Sequence, residues 1–189
     1  ILLILDEVQC GIGRTGRLFA HEWSGIKPDI MMVAKGIGGG FPLGAVLASE
    51  SAASGMKAGS HGSTYGGNPL GCAIGCEVLK HVADPNFLAD VTRKADLLTQ
   101  SLKRLIVEYS ELFDVVRGQG LMIGVRCKIS NSEVLKACYD ENLITIPASD
   151  NVIRLLPPLN ISDNEINEAM HRLHRVAHHC VKIVRKTNR

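Results

Sequence analysis

An aspartate and a lysine, Asp6 and Lys35, each follow directly on a short apolar run of the sequence. Such runs are typical of buried strands, and the carboxyl ends of strands are where ligands bind in open α/β sheets. We expect both side chains to be poorly solvated, and burying a charge costs several kcal/mol or shifts its pKa. Two interpretations are open: a buried ion pair of little functional meaning, or two groups with a ligand between them.

A ligand that requires both groups is pyridoxal 5'-phosphate (PLP). It takes a lysine amine for covalent attachment, a carboxylate that keeps its ring nitrogen protonated, and backbone or hydroxyl donors for its phosphate. Lysine suits the role because a partly desolvated amine becomes nucleophilic near neutral pH. The glycines that follow Lys35 would let the backbone approach such a cofactor. A phosphate-binding P-loop is disfavoured, since its lysine follows the glycines rather than preceding them.

The bulk composition favours an enzyme that acts on small molecules. The chain has 189 residues, 46% of them hydrophobic, and a net charge of only +2. These values do not predict the basic surface that nucleic acid or an anionic membrane requires, and no apolar stretch approaches the roughly 20 residues that cross a bilayer. We interpret the six cysteines as ordinary buried thiols of a soluble cytoplasmic protein. Cys72 and Cys76 stand four residues apart on the helix that Asn68 is predicted to begin, and they are interpreted as packing residues. The clustered His171, His174 and His178 fit a solvated helix face, and no metal site is predicted.

The elements that must position Asp6 and Lys35 belong to an α/β fold with two parts. The first part is predicted to contain three strands and a helix, at 1–5, 30–34, 41–48 and from Asn68-Pro69 onwards. The run 1–5 is typical of a central strand with neighbours on both sides, which predicts that the chain is part of a longer protein. A long amphipathic helix over 87–109 is the predicted connector to the second part.

The second part is predicted to be a small α+β unit. It contains four strands and two helices, with strands at 113–116, 121–127, 143–146 and 152–156, a helix over 133–141 and a final helix. Ser162 and Glu165 stand at the spacing of a capping box and predict the start of the final helix. The basic tail 182–189 is predicted to be a solvated helix end.

Four stretches carry a resemblance to a known family. They are "LDEVQCGIGRTG" (5–16), "PDIMMVAKGIGGGFPLGA" (28–45), "GSHGSTYGGNPLGCA" (59–73) and "NVIRLLPPLNIS" (151–162). In order and spacing they resemble the C-terminal half of the class III PLP-dependent aminotransferases. The resemblance implies the PLP-dependent transferase fold type I, which is aspartate aminotransferase-like. Residues 1–87 would form the C-terminal part of the PLP-binding large domain, and residues 88–189 the connecting helix and the small C-terminal α+β domain.

The resemblance also implies roles for residues near the cofactor. Lys35 matches the lysine that binds PLP covalently and moves protons during catalysis. Asp6 matches the carboxylate that pairs with the ring nitrogen. Val8 resembles the residue that packs on one face of the ring, and Gln9 resembles the side chain near the phenolic oxygen.

Two further residues match positions that lie apart from this group in the sequence. Thr64 is similar to the threonine that binds the phosphate of the partner subunit's cofactor in a homodimer. Arg154 matches the arginine that binds the substrate α-carboxylate, where a planar guanidinium can make two parallel hydrogen bonds. Taken alone, Thr64 fits a turn hydroxyl and Arg154 a surface ion pair, so the order of the motifs carries both assignments.

Within the family, the sequence is most similar to the branch that transaminates N2-acetyl-L-ornithine with 2-oxoglutarate in arginine biosynthesis. Branches that use ornithine, succinylornithine or 4-aminobutyrate share the motifs and stay open as alternatives. A further alternative is a truncated, non-catalytic remnant that acts only in dimerisation or binding. Because the phosphate-binding loop and the second ring contact of the family lie upstream of these motifs, we expect residues 1–189 alone to bind PLP weakly.

Overall fold

The computed structural model describes residues 1–187, with side chains described as far as Lys182. The chain divides into two compact units, Ile1–Asp90 and Val91–Arg189. Among the described residues, no helix combines the length and the apolar character that a membrane span requires. Residues 182–189 are predicted to form a solvated tail. Of their side chains the structure describes only that of Lys182, and the others lie outside the described side chains.

The first unit is built on a three-stranded sheet in the order β1-β2-β3. Its strands are β1 (Ile4–Asp6), β2 (Ile30–Ala34) and β3 (Gly44–Ala48), with β1 parallel and β3 antiparallel to β2. Its helical segments are two 3₁₀ turns, Ala20–Trp23 and Lys35–Gly38, the short α1 (Glu50–Ala53) and α2 (Pro69–Val82). Its core consists of five buried side chains, namely Ile12, Met31, Val33, Ile37 and Val82.

The first predicted strand begins later than expected. Leu3 donates its N–H to the Asp29 side chain at 2.7 Å rather than to a strand, so the ladder begins only at Ile4. Within the described chain β1 pairs with β2 alone, and the second neighbour predicted for a central strand stays a prediction. The third strand is also shorter than predicted, because Phe41 donates its N–H to Gly38 in a turn.

Helix α2 begins where the sequence predicts it. The Asn68 side chain accepts the Gly71 N–H at 2.8 Å, and proline occupies the first helical position. The helix buries Gly71 and Gly75, and a Cβ at Gly75 would lie 2.8 Å from Leu43 Cδ2. The close packing of these glycines turns the opposite face to solvent. Cys72 and Cys76 are exposed free thiols on this helix, so the interpretation of both as packing residues is wrong.

The second unit is an antiparallel sheet with helices. Helix α3 (Pro85–Glu108) runs across the boundary between the units, close to the predicted limits of the connecting helix. The sheet has the order β4-β5-β7-β6. Its elements are β4 (Phe113–Gln119), β5 (Met122–Cys127), α4 (Asn131–Asp140), β6 (Ile146–Ala148), β7 (Val152–Leu155) and α5 (Asp163–Thr187). The largest fully buried side chains include Leu102, Leu105, Phe113, Ile123, Ile153, Ile166 and Leu173.

Local signals predicted some boundaries of the second unit better than others. The capping box is present, because Ser162 N–H donates to Glu165 Oε2 at 2.7 Å and Glu165 N–H donates to Ser162 Oγ at 3.2 Å. Strand β6 lies further along the chain than predicted. Leu143 donates its N–H to the Cys138 carbonyl at 2.8 Å and so still belongs to the end of α4, with Asn142 in the left-handed region at φ 55°.

Candidate active site

The structure brings Asp6 and Lys35 to the same edge of the first sheet. Asp6 is the last residue of β1 and pairs with Met32 of β2, while Lys35 follows directly on β2. Because the two strands are parallel and lie about 4.8 Å apart, both side chains leave the sheet at the same edge, with Lys35 three residues further along the chain than Met32, the partner of Asp6. The expectation of poor solvation is wrong, since both side chains are exposed in the described chain.

The Asp6 carboxylate is held by the turn that follows β1. Its Oδ1 accepts the Val8 N–H at 2.9 Å, which fixes the direction of the carboxylate. Among the described residues, no hydrogen bond engages its second oxygen, Oδ2. One carboxylate oxygen is therefore oriented by the backbone, and the other is available to an N–H donor of a ligand.

Lys35 has an unusual backbone conformation. Its φ is +49°, in the left-handed region, which costs a residue other than glycine about 1–2 kcal/mol. The preceding Ala34 is still fully extended, so the chain turns sharply at the lysine and enters the 3₁₀ turn. Within the described part of the chain, the ammonium group makes no ion pair or hydrogen bond. Strained residues of this kind concentrate at functional sites, because the surrounding structure must hold them.

The remaining predicted cofactor residues lie in two loops of the first unit. Val8 and Gln9 are half-buried in the turn directly after Asp6, so they share the edge of the sheet with it. Thr64 lies in the exposed loop before α2, next to Tyr65, whose exposure is 81%. No described hydrogen bond connects Thr64 with Asp6 or Lys35.

A cysteine also lies close to the two candidate groups. Cys10 Sγ is 3.5 Å from the Asp6 carbonyl oxygen. Burial raises the pKa of the Cys10 thiol, and the neighbouring Glu7 and Asp6 carboxylates raise it further. The thiol therefore stays protonated near neutral pH.

Glu7, which the sequence analysis did not select, is the most buried acid of the first unit, with an exposure of 2%. Its carboxylate accepts the Ala20 N–H at 2.6 Å and the His21 N–H at 2.8 Å, and His21 Nδ1 lies 2.8 Å from the same carboxylate. Its own N–H donates to the Met32 carbonyl at 2.9 Å. Glu7 thus connects the start of a 3₁₀ turn to the end of β1. The only sequence signal was a second acid beside Asp6.

Arg154 lies in the second unit, in the middle of β7. It pairs with Gly124 on one side and Ile146 on the other. Its half-buried side chain is the charged member of the lining of a cavity of about 320 Å³. The rest of that lining is apolar and includes Leu98, Ile144, Leu155, Ile161 and Ile166. A guanidinium in an apolar cavity suits a ligand with a carboxylate on an aliphatic chain.

Two asparagines that the sequence analysis did not select hold the hairpin before Arg154. Asn151, in the β6–β7 turn with φ 56°, donates from Nδ2 to the carbonyls of Cys127 and Ile129, both at 2.7 Å. Its Oδ1 accepts the Asn131 N–H at 2.8 Å, and Asn131 Nδ2 donates to the Val152 carbonyl at 3.0 Å. The turn is therefore fixed to the end of β5 and the start of α4.

The donor set of the first unit fits PLP. Among the described residues, the Lys35 amine and one Asp6 carboxylate oxygen have no partner, and both groups lie at the ends of neighbouring strands. An amine and a carboxylate are the two groups that the aldehyde and the ring nitrogen of PLP require. Gly36 follows the lysine, and its backbone can approach a flat ligand because it has no side chain. Lys35 would hold the aldehyde carbon and Asp6 the ring nitrogen.

Comparisons with known proteins agree with this interpretation. A family model described as "Aminotransferase class-III" matches residues 1–177. Acetylornithine aminotransferase from Rhodobacter capsulatus is 61% identical over 176 residues, which are 93% of this chain and 45% of that protein. The crystal structure of N-acetylornithine aminotransferase from Stenotrophomonas maltophilia matches 96% of this chain and 48% of its own, with a TM-score of 0.86 and 35% identity. Ornithine aminotransferase from Toxoplasma gondii matches 96% and 44%, with a TM-score of 0.90 and 31% identity.

The fold and the likeness to these structures define a PLP-dependent transferase of fold type I. The chain belongs to the class III aminotransferases, a family that depends on PLP. It spans less than half the length of the relatives that it matches.

Proposed function

We propose that the whole protein transfers the terminal amino group of N2-acetyl-L-ornithine to 2-oxoglutarate with PLP as its cofactor. The observation that carries the proposal is the placement of the Lys35 amine and the Asp6 carboxylate at the ends of adjacent parallel strands. The choice of substrate is supported by relatives named acetylornithine aminotransferase, which are 46–61% identical to this chain. The residue roles below belong to the same proposal.

Lys35 and Asp6 divide the chemistry between them. PLP, when bound, supplies an electron sink for the electrons of the substrate carbon. Lys35 holds the cofactor before substrate arrives, and its released amine then moves a proton at the substrate carbon as general base and acid. The Oδ2 atom of Asp6 accepts the ring N–H, while Oδ1 stays on the Val8 N–H and keeps the carboxylate in place. Val8 packs on the ring, and Gln9 contacts the phenolic oxygen.

Arg154 binds the carboxylate of the substrate. Its guanidinium offers two parallel N–H donors, and charge-assisted pairs of this kind are about twice as strong as neutral hydrogen bonds. The apolar lining of its cavity would pack against the methylene chain of the substrate. We expect Arg154→Lys to raise the KM for 2-oxoglutarate, because an ammonium cannot reproduce the planar pair.

Thr64 completes the active site of the partner subunit in a homodimer. Thr64 and the neighbouring Tyr65 are exposed in the described chain, which leaves them accessible to a second subunit and supports this role. Mixing inactive Lys35→Ala subunits with inactive Thr64→Ala subunits tests it. Each mixed dimer then has one site with both residues intact, so activity returns. A mixture that stays inactive contradicts a shared site.

The reaction belongs to arginine biosynthesis in the cytoplasm under this proposal. All six cysteines are free thiols, which suits a reducing compartment; they are Cys10, Cys72, Cys76, Cys127, Cys138 and Cys180.

Side-by-side assays of the whole protein test the substrate. N2-acetyl-L-ornithine, ornithine, succinylornithine and 4-aminobutyrate are each supplied with 2-oxoglutarate, and kcat/KM is compared. We expect the highest value for N2-acetyl-L-ornithine, and a loss of about a hundredfold or more in Asp6→Asn. Ornithine is the second candidate, because the Toxoplasma gondii structure with a TM-score of 0.90 is an ornithine aminotransferase. A preference for ornithine would replace the proposed substrate, and no turnover with any donor would refute the proposed activity.

A further inference from the structure

Ile12 has the same unusual backbone conformation as Lys35. Its φ is +53°, although β-branched residues rarely occupy the left-handed region. Its side chain is buried, with an exposure of 3%, and belongs to the core of the first unit. A residue stays in such a conformation only where its surroundings hold it there, so the position of Ile12 is defined by its contacts.

Ile12 lies against Gly36, the residue directly after Lys35. A Cβ at Gly36 would lie 3.3 Å from Ile12 Cβ, 3.5 Å from Ile12 Cγ2 and 3.8 Å from the Ile12 carbonyl oxygen. All three nearest atoms outside the local chain therefore belong to Ile12. The Gly36 backbone therefore faces Ile12 and leaves little room for a side chain on that side.

The solvent side of the turn offers no comparable support. The Lys35 side chain is exposed, and its ammonium has no partner among the described residues. The turn is closed internally by the Gly39 N–H, which donates to the Gly36 carbonyl at 3.1 Å. On its core side the turn is held by the buried Ile37 and by the packing of Gly36 against Ile12, so this side sets the direction in which Lys35 leaves the sheet.

We propose that Ile12 is a positioning residue for Lys35. Its Cβ and Cγ2 support the Gly36 backbone and so fix the turn from which the amine is presented. The inference rests on the proposed function, in which the Lys35 amine would hold the aldehyde carbon of PLP through a carbon–nitrogen double bond, with the aldehyde oxygen released as water. Ile12 touches neither cofactor nor substrate.

Two substitutions at Ile12 separate positioning from core packing. Ile12→Val keeps Cβ and Cγ2 against Gly36 but removes a methyl group from the core. Ile12→Leu keeps the side-chain volume but removes the Cγ2 that contacts Gly36. Gly36→Ala inserts a methyl group into the same contact from the other side. Gly71→Ala is its matched control, because a Cβ there would crowd the Asn68 amide nitrogen at 3.1 Å, at the start of α2.

The readout is the reactivity of the amine and not turnover. The whole protein, freed of cofactor, is mixed with PLP and reduced with borohydride, and the label at Lys35 is compared by mass spectrometry with that at the exposed Lys27. Circular dichroism and the unfolding midpoint show that each variant is folded.

We expect Ile12→Val and Gly71→Ala to keep the ratio of label at Lys35 to label at Lys27 within about twofold of wild type. Ile12→Leu and Gly36→Ala should lower this ratio by about tenfold, since misplacing a reacting group by 1 Å can cost about a hundredfold. Unchanged labelling in Ile12→Leu and Gly36→Ala would overturn the inference, as would an equal loss in Ile12→Val. A wild-type protein without preference for Lys35 would overturn the proposed function and this inference with it.

Discussion

Removing the buried carboxylate of Glu7 should destabilise the protein strongly. In Glu7→Ala, the Ala20 N–H, the His21 N–H and the His21 ring nitrogen all lose their acceptor. Each polar group left without a partner in a buried site costs about 1–3 kcal/mol. Ala20 and His21 are half-buried, so water compensates in part, and we expect the free energy of unfolding to fall by about 3–5 kcal/mol.

Glu7→Gln should lie between wild type and Glu7→Ala. The remaining side-chain oxygen still accepts hydrogen bonds from His21. The amide nitrogen of the glutamine would take the place of Oε2, which in wild type accepts the Ala20 N–H at 2.6 Å, so two donors would face each other. We expect a loss of about 1–3 kcal/mol. Glu22→Gln is the matched control, because Glu22 also accepts one backbone N–H, that of Phe19 at 2.8 Å, but is exposed. Its cost should stay below about 1 kcal/mol.

Chemical denaturation of the four proteins, followed by circular dichroism, measures these differences. The order of stability should be wild type, Glu22→Gln, Glu7→Gln and Glu7→Ala. A Glu7→Ala protein within about 1 kcal/mol of wild type would refute the reasoning, because the buried hydrogen bonds would then contribute almost nothing.

Three further results follow from the second unit. Asn151→Gly keeps the left-handed turn but loses three hydrogen bonds, so unfolding should become easier by about 1–3 kcal/mol in denaturant titrations, and Asn151→Ala should lose about 1 kcal/mol more. Burial raises the pKa of the Cys138 thiol to about 11 and that of the Cys127 thiol to about 12. Near pH 8 both thiols should therefore react with a thiol reagent far more slowly than the exposed Cys72, and the rates of Cys127 and Cys138 should rise about tenfold per pH unit. Arg154→Lys should raise the KM for 2-oxoglutarate by about tenfold or more in steady-state assays with a smaller change in kcat, and an unchanged KM would contradict the proposed role of Arg154 in substrate binding.

Local sequence signals predicted the elements that begin with their own caps. Asn68 and Pro69 gave the start of α2, and the Ser162–Glu165 capping box gave the start of α5. These contacts span three residues, so the sequence alone contains them. The placement of Asp6 and Lys35 at one edge of the sheet was also predictable, because both follow apolar runs that end as parallel strands.

Contacts between distant residues could not be predicted in the same way. Glu7 reaches His21 across 14 positions, and Asn151 reaches Cys127 across 24. Hydrophobicity also gave no indication that α2 packs through its glycines, which explains the error at Cys72 and Cys76. The left-handed backbone of Ile12 is equally invisible in the sequence, because an isoleucine in a glycine-rich loop indicates burial and nothing about φ.

Mapping the attachment point of PLP on the whole protein tests the central claim most directly. The cofactor is bound, reduced with borohydride and located by peptide mass spectrometry, with visible absorbance recorded before reduction. We expect one modified residue, Lys35, and loss of both the label and the visible absorbance in Lys35→Ala. A label on another lysine, or visible absorbance that survives in Lys35→Ala, would contradict the assignment of Lys35 as the cofactor-binding residue.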